Sequence, residues 1–271
     1  MHRPRLPWLS TLAPVTLAAA ALLASAGCEL AFTDLSAQSK DEWARTYDLS
    51  PTGQVELTNV NGEINVAPSS DGKVHVRAER TAKAATEEAA RQLLAKIVIR
   101  ENTTADRVRL ETEGPSGNFL SGGHYSVRYW LDVPAGASVN VTNTNGRVSV
   151  ADISGPVEAR TTNGGVTARG LKGRVEASTT NGGVDVDVDQ VHPDGIRLET
   201  TNGGVRLTLP NSAKADVKAE VTNGGIDTGT LEIEKTGQAT RRHLEGRLNG
   251  GGPRIDLETT NGGIKIAGKG A

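Results

Sequence analysis

The chain has 271 residues, enough for one or two domains with a core of their own. A formal charge of −2 gives no electrostatic case for a nucleic-acid partner, which wants a basic face. Gly is frequent (32 residues) and aromatics make up 3%, a balance that favours a turn-rich β protein over a helical bundle.

Taken in chain order, residues 1–28 read as a targeting segment. His2, Arg3 and Arg5 form a basic start, and Leu12 to Ala24 form an apolar run too short to span a bilayer. "LASAGC" follows, with the one cysteine of the chain at Cys28. A lone cysteine after Ala26-Gly27 looks like a bacterial lipobox, whose thiol takes a diacylglycerol; Ser25 departs from the usual Leu. The other reading is ordinary signal-peptidase cleavage after Ala26, leaving Cys28 as a free thiol. An unpaired thiol in an oxidising envelope is a liability, which favours lipidation. Residues 29–44 are expected to be a polar tether from the membrane to the domain.

Residues 45–135 form an N-terminal β region. "GQVELTNVNGEINVAP" (53–68) and "KVHVRAER" (73–80) have strand patterns. "KAATEEAARQLLAKI" predicts a helix over 83–97, with Ala85, Ala89, Leu93 and Ile97 on one stripe. "IVIREN", "RVRLETEG" and "YSVRYWLDVP" return to strands. A repeat array needs covered ends, so the helix is expected to cap this one.

Residues 136–271 repeat themselves. "TTNGGV" stands at 161–166, 179–184 and 200–205, with "VTNGGI" at 221–226 and "TTNGGI" at 259–264. The Asn positions are Asn61, Asn145, Asn163, Asn181, Asn202, Asn223 and Asn261, and from Asn145 the steps are 18, 18, 21, 21 and 38. A period near 20 residues marks a solenoid or array. Six before the Asn stand Val139, Val157, Val175, Ile196, Val217 and Ile255; three after it stand Val148, Val166, Val184, Val205, Ile226 and Ile264. Charged and hydroxylated residues alternate with these, so one set lies inside and the other in water.

A meander of hairpins would use each Asn-Gly as a tight turn. A parallel solenoid would use it as a corner, stacking copies about 4.8 Å apart. Stacking pairs Asp185 with Arg206, Arg206 with Asp227 and Arg169 with Asp187, whereas hairpins set Glu220 against Asp227. The charges favour the solenoid, although stacking also brings Glu199 near Glu220. The asparagines Asn145, Asn163, Asn181, Asn202, Asn223 and Asn261 then form a ladder of amides, flanked by a polar stack of Thr161, Thr179, Thr200 and Thr259. Residues 231–248 have no clean phase and read as a degenerate coil or a second cap.

These residues resemble a bacterial family of β-strand-repeat proteins named as candidate adhesins, a family of unknown function. The likeness rests on "TNVNGEINV", "ATEEAARQLLAKI", "YWLDVPAGASVNVTNTNGRVSV", the "TTNGGV" units and "IDLETTNGGIKI", from about Trp43 to Ile266. It implies an all-β, right-handed parallel β-solenoid, exported and often membrane-anchored, with no catalytic centre to carry over.

An enzyme on envelope polysaccharide is the rival, because parallel β-helices host such chemistry. "VDVDVDQ" (184–190) is its best candidate, with Asp185, Asp187 and Asp189 pointing outward together. Same-face neighbours lie about 6.6 Å apart on a strand, too far to share one small ion tightly. Asp185, Asp187 and Arg206 therefore remain a speculative surface site. His75, His124, His192 and His243 lack metal-ligand spacing. The expectation is a non-catalytic, lipid-anchored protein of the bacterial cell envelope, without cofactor, metal or small-molecule substrate. Its partners would be the membrane, through the anchor, and an envelope protein or glycan. A component of envelope-stress sensing is a third reading.

Overall fold

Alternating apolar and polar residues dictate strands with one face inward, and each Asn-Gly pair sets a corner between two of them. The computed structural model describes residues 37–115, 123–237 and 239–270. β1 (Ala37–Tyr47) opens the described chain, and β2 (Gln54–Asn61) and β3 (Ile64–Pro68) flank the first corner. β4 (Val74–Ala84), α1 (Glu87–Leu94) and β5 (Val98–Thr104) interrupt the repeat before β6 (Arg107–Glu113) and β7 (His124–Val133). Four corner pairs follow. They are β8 (Ser138–Asn145) with β9 (Val148–Ala151), and β10 (Val157–Asn163) with β11 (Val166–Leu171). Then come β12 (Val175–Asn181) with β13 (Val184–Val188), and β14 (Ile196–Asn202) with β15 (Val205–Pro210). β16 (Ala215–Asn223) and β17 (Ile226–Asp227) make a further corner. A second interruption, β18 (Ile233–Lys235) and β19 (His243–Leu248), precedes the last pair, β20 (Arg254–Asn261) and β21 (Ile264–Lys269).

Each corner pair contributes one strand to each of two sheets, making one coil of a solenoid. The ten-stranded sheet runs β1-β4-β7-β3-β9-β11-β13-β15-β21-β17. The 11-stranded sheet runs β18-β19-β16-β20-β14-β12-β10-β8-β2-β6-β5. Neighbouring coils pair in parallel with equivalent residues in register, for example Val139 beside Val157 and Asn145 beside Asn163. The fold is thus mainly β, a parallel array of two-strand coils, in line with the period, the alternation and the family resemblance.

Stacking order departs from chain order at both ends. The β6–β7 coil lies outside the earlier β2–β3 coil, so β2 pairs with both β6 and β8. At the other end, the last coil, β20–β21, is inserted between β14–β15 and β16–β17. Ile255 stands in register with Ile196 on one side and Val217 on the other. The expected contact of Arg206 with Asp227 is therefore replaced by Arg206 beside Lys265 and Lys265 beside Asp227. Glu258 likewise separates Glu199 from Glu220.

Antiparallel elements close the ends. β4 pairs with β1 and β7, β5 with β6, and β19 with β16 and β18. These take three of the four sheet edges, which would otherwise invite pairing with other chains; the fourth is the two-residue β17. Residues 231–248, without repeat phase in the sequence, hold the β18–β19 cap. Residues 37–44, expected in the polar tether, lie in β1, where all eleven residues pair with β4. The helix is shorter than 83–97, because β4 runs to Ala84 and Thr86 caps the first turn by accepting from the Ala89 amide. Its buried stripe is Ala90, Leu93 and Leu94, followed by buried Ile97; Ala85 and Ala89 are exposed. Ala85 precedes the helix, and a step of four residues overshoots a 3.6-residue turn, so the expected stripe meets the buried face only from Leu93.

Inside, equivalent positions stack. Val55, Val139, Val157, Val175, Ile196, Ile255 and Val217 form one buried column, and Ile64, Val148, Val166, Val184, Val205 and Ile264 another.

Candidate binding surface

The corner sets the geometry of everything outside it. Amide nitrogens of Asn145, Asn163, Asn181, Asn202, Asn261 and Asn223 each donate to the amide oxygen of the preceding Asn in the stack, starting from Asn61, at 2.7–3.0 Å. Spatial order replaces chain order here too, with Asn261 between Asn202 and Asn223. The threonines two residues earlier do not bond one another. Thr161, Thr179, Thr200 and Thr259 instead donate to the carbonyls of Gly146, Gly164, Gly182 and Gly203 on the neighbouring coil. Asn59 and Asn143 hold the same position further down; their amide nitrogens bond the Val127 and Gly62 carbonyls, while their buried amide oxygens accept no hydrogen bond among the described residues.

The first glycine of each corner is a steric necessity. Gly146, Gly164 and Gly182 have φ of 135°, 153° and 153°, and a Cβ there would overlap the carbonyl oxygen of the glycine below. The second glycine is different: Glu63 and Arg147 occupy the same place in two coils. Gly165, Gly183, Gly204, Gly263 and Gly225 consequently leave a shallow trough of about 590 Å³ along the corner, with Arg147, Asp185, Arg206, Lys265 and Asp227 among its lining residues.

The two outer faces both carry ion pairs and differ in their aromatic residues. On the 11-stranded sheet the outward residues neutralise one another. Arg160 bonds Glu158 and Glu176, Arg174 bonds Glu176 at 2.9 Å, Arg197 bonds Glu199, Lys218 bonds Glu220 at 3.0 Å and Arg254 bonds Asp256 at 2.7 Å. The ten-stranded sheet, with pairs such as Arg128 with Glu79 at 3.6 Å, adds an aromatic centre, Trp130 on β7. The Arg77 guanidinium lies 3.8 Å from the Trp130 ring centroid and that of Arg128 5.7 Å. A depression of about 370 Å³ borders the indole on one side, floored by the small outward residues Asn65, Ala67, Ser149 and Ala151. A second, of about 610 Å³, borders it on the other, with Thr46, His75, Arg77 and Asp132 in its lining.

The acidic run is tied up by cations. Asp185 stands in register with Arg206, yet its ion pair is with Arg169 at 3.7 Å. A register shift in β11 between Ala168 and Leu171, with Gly170 at φ 66°, turns Arg169 towards Asp185 rather than the expected Asp187. Asp187 and Asp189 are both clamped by Lys269 of the last coil. The hydrogen bond that the Lys269 ammonium donates to Asp187 is the main cause that holds it above its ordinary range. Arg206 makes no ion pair among the described residues. Nothing near Asp187 in the sequence pointed to Lys269, 82 residues away, because only the inserted coil brings them together.

His75 bonds Asp71 at 2.9 Å, His192 lies 3.5 Å from Asp194, and His243 sits between Glu220 and Glu245. Among the described residues no three His, Cys, Asp or Glu side chains converge as a metal site. Tyr129, fully buried, bonds Thr112 at 2.7 Å, and desolvation pushes its phenol well above the ordinary 10. Cys28 lies outside the described residues. No described helix is long and apolar enough to cross a membrane.

No curated protein matches the chain in sequence. Among solved structures, a candidate cell adhesion protein from Clostridium sporogenes is similar at 16% identity and a TM-score of 0.46, over 85% of this chain and 100% of that one. A candidate adhesin from Bacteroides fragilis follows at 14% identity and 0.41, over 85% and 98%. A candidate lipid binding protein from Parabacteroides distasonis has 9% identity and 0.28, over 85% and 96%. In sequence, residues 102–267 match the Toastrack DUF4097 family across more than half of the chain. The chain belongs to the Toastrack DUF4097 family.

Proposed function

We propose that the protein is a non-catalytic scaffold of the bacterial cell envelope, lipid-anchored through Cys28, which presents an adhesin-like surface to an envelope protein or glycan. The observation that carries this reading is the contrast between the two outer faces. Both carry ion pairs, but among the described residues the ten-stranded face alone places an indole, Trp130, between two depressions, with Arg77, Asp132 and Asn65 at hand. An indole flanked by a few convergent polar groups suits a saccharide ring or an aromatic-anchored peptide. The carboxylates that a polysaccharide-cleaving enzyme would use, Asp185 and Asp187, are each held by a cation, which supports the non-catalytic reading.

The test is binding of the purified protein to isolated envelope fractions. Trp130→Ala is expected to lose retention at least tenfold (about 1.4 kcal/mol), while Arg174→Ala on the opposite face leaves it unchanged. Equal retention by both variants removes the proposed face. Polysaccharide cleavage by wild type that disappears in Asp185→Asn, Asp187→Asn protein removes the scaffold reading. Labelling with a palmitate analogue checks Cys28, and wild-type protein without label contradicts the anchor.

A further inference from the structure

The coil formed by β20 and β21 fills a slot that the chain has already built around it. Its backbone ladders run to β14 and β15 on one side and to β16 and β17 on the other. Ile255, Leu257, Ile264 and Ile266 are buried there, Thr259 donates to the Gly203 carbonyl, and Asn261 bonds both Asn202 and Asn223. The wall and the filler share a sequence: residues 198–204 and 257–263 both read LETTNGG.

What joins this coil to the rest is a hinge, Asn249-Gly250-Gly251-Gly252-Pro253, between β19 and β20. Asn249 sits at φ 48°, unusual for a residue with a side chain, and Gly250 and Gly251 at 87° and 88°. Two hydrogen bonds from the Asn249 amide, to the Asn211 and Ala213 carbonyls, hold that conformation. A short connection that folds a complete structural unit back over its neighbour is the arrangement from which identical units exchange between chains.

We propose that the slot between the Asn202 and Asn223 coils is an interaction site for a second copy of this chain, which inserts its own residues 254–269 in trans. Every contact of the slot is the same whichever copy supplies the coil. The balance between closed and exchanged forms is therefore set by the tether, whose effective concentration is on the order of millimolar for a short linker. Exchange then yields a reciprocal dimer at high local protein concentration. Opening must break two ladders at once, so the exchange is slow without denaturant.

The experiment uses the full chain in a Cys28→Ser background. One preparation carries Arg197→Cys and the other Asp256→Cys, an outward pair in register across the slot. The two are mixed near millimolar concentration in urea below the unfolding midpoint, diluted and oxidised. The expected result is a disulfide-linked heterodimer at least tenfold above that from Glu158→Cys mixed with Glu176→Cys, which are in register on coils that cannot exchange by this hinge. Deleting Gly250 to Gly252 tightens the hinge and is expected to raise the yield further. Both cysteines in one chain form the internal disulfide, which shows that the variants fold. A heterodimer yield no higher than the control, with either hinge length, overturns the proposal.

Discussion

The middle of the array and its two ends obey different rules. From β8 to β15, four coils stack in the order in which they are made, each burying the same Val, Ala or Leu positions against the next. At the ends, chain order and stacking order part: β2–β3 and β20–β21, the first and last coils, both lie inside a neighbour. A solenoid whose end coil is also its chain end frays from there, because that coil is held on one side only. Here the terminal coils have a ladder on each side, and antiparallel strands take three of the four sheet edges, β17 taking the fourth. The repeat supplies uniform stacking, and the crossed ends hold it closed.

The sharpest way to break the middle is through the first corner glycine. Gly182→Ala places a Cβ against the Gly164 carbonyl at a φ of 153°, and is expected to cost at least about 3 kcal/mol in urea unfolding. Gly183→Ala, one residue on, meets the Gly204 carbonyl only at 3.4 Å and is expected to change stability by about 0.5 kcal/mol. Equal losses at the two positions contradict the stacking account of the motif.

The ends are compared next. Leu257, buried in the inserted coil, should lose about 2–5 kcal/mol as Leu257→Ala, the cost of a core cavity. Ile233→Ala, in the half-buried cap strand β18, should lose about 1 kcal/mol. A reversal would mean that the last coil is an edge and not an insert.

Smaller effects separate ladder and core. Asn181→Ala removes two exposed amide bonds and Asn223→Ala one, so unfolding should show about 1 kcal/mol for the first and roughly half for the second. The Tyr129 phenol, raised by burial, stays neutral in the fold while the unfolded chain ionises near 10. Its contribution is thus complete below that pH and lost as pH rises above it. Tyr129→Phe should weaken the protein slightly at neutral pH, through the lost Thr112 bond, and flatten the loss of stability above pH 10. An unchanged alkaline slope would exclude Tyr129 as its source.

Much of this was legible from residues alone. Alternation and the near-20-residue period gave strands, inward columns and parallel coils, because side-chain period and stacking register are local properties. Asn and Gly at each corner marked the turn. The stacking order was not legible, since β14, β16 and β20 present nearly the same inward pattern, Ile196, Val217 and Ile255, and any of them fits beside another. The 38-residue step from Asn223 to Asn261 showed that something intervened, but not that the chain crossed back. The same crossing hid the Lys269 clamp on Asp187. Trp130 was visible as one of several early aromatics; its place beside Arg77 depended on antiparallel pairing of β4 with β7, which no repeat encodes.

The insertion of the last coil is tested most directly by three cysteine pairs in a Cys28→Ser background. Arg197→Cys with Asp256→Cys, and Asp256→Cys with Lys218→Cys, join strands in direct register and are expected to form internal disulfides. Arg197→Cys with Lys218→Cys spans two strand steps, about 9.6 Å, beyond disulfide reach, and is expected to stay reduced. A disulfide between positions 197 and 218, with none between 197 and 256, would place the coils in chain order and contradict the account.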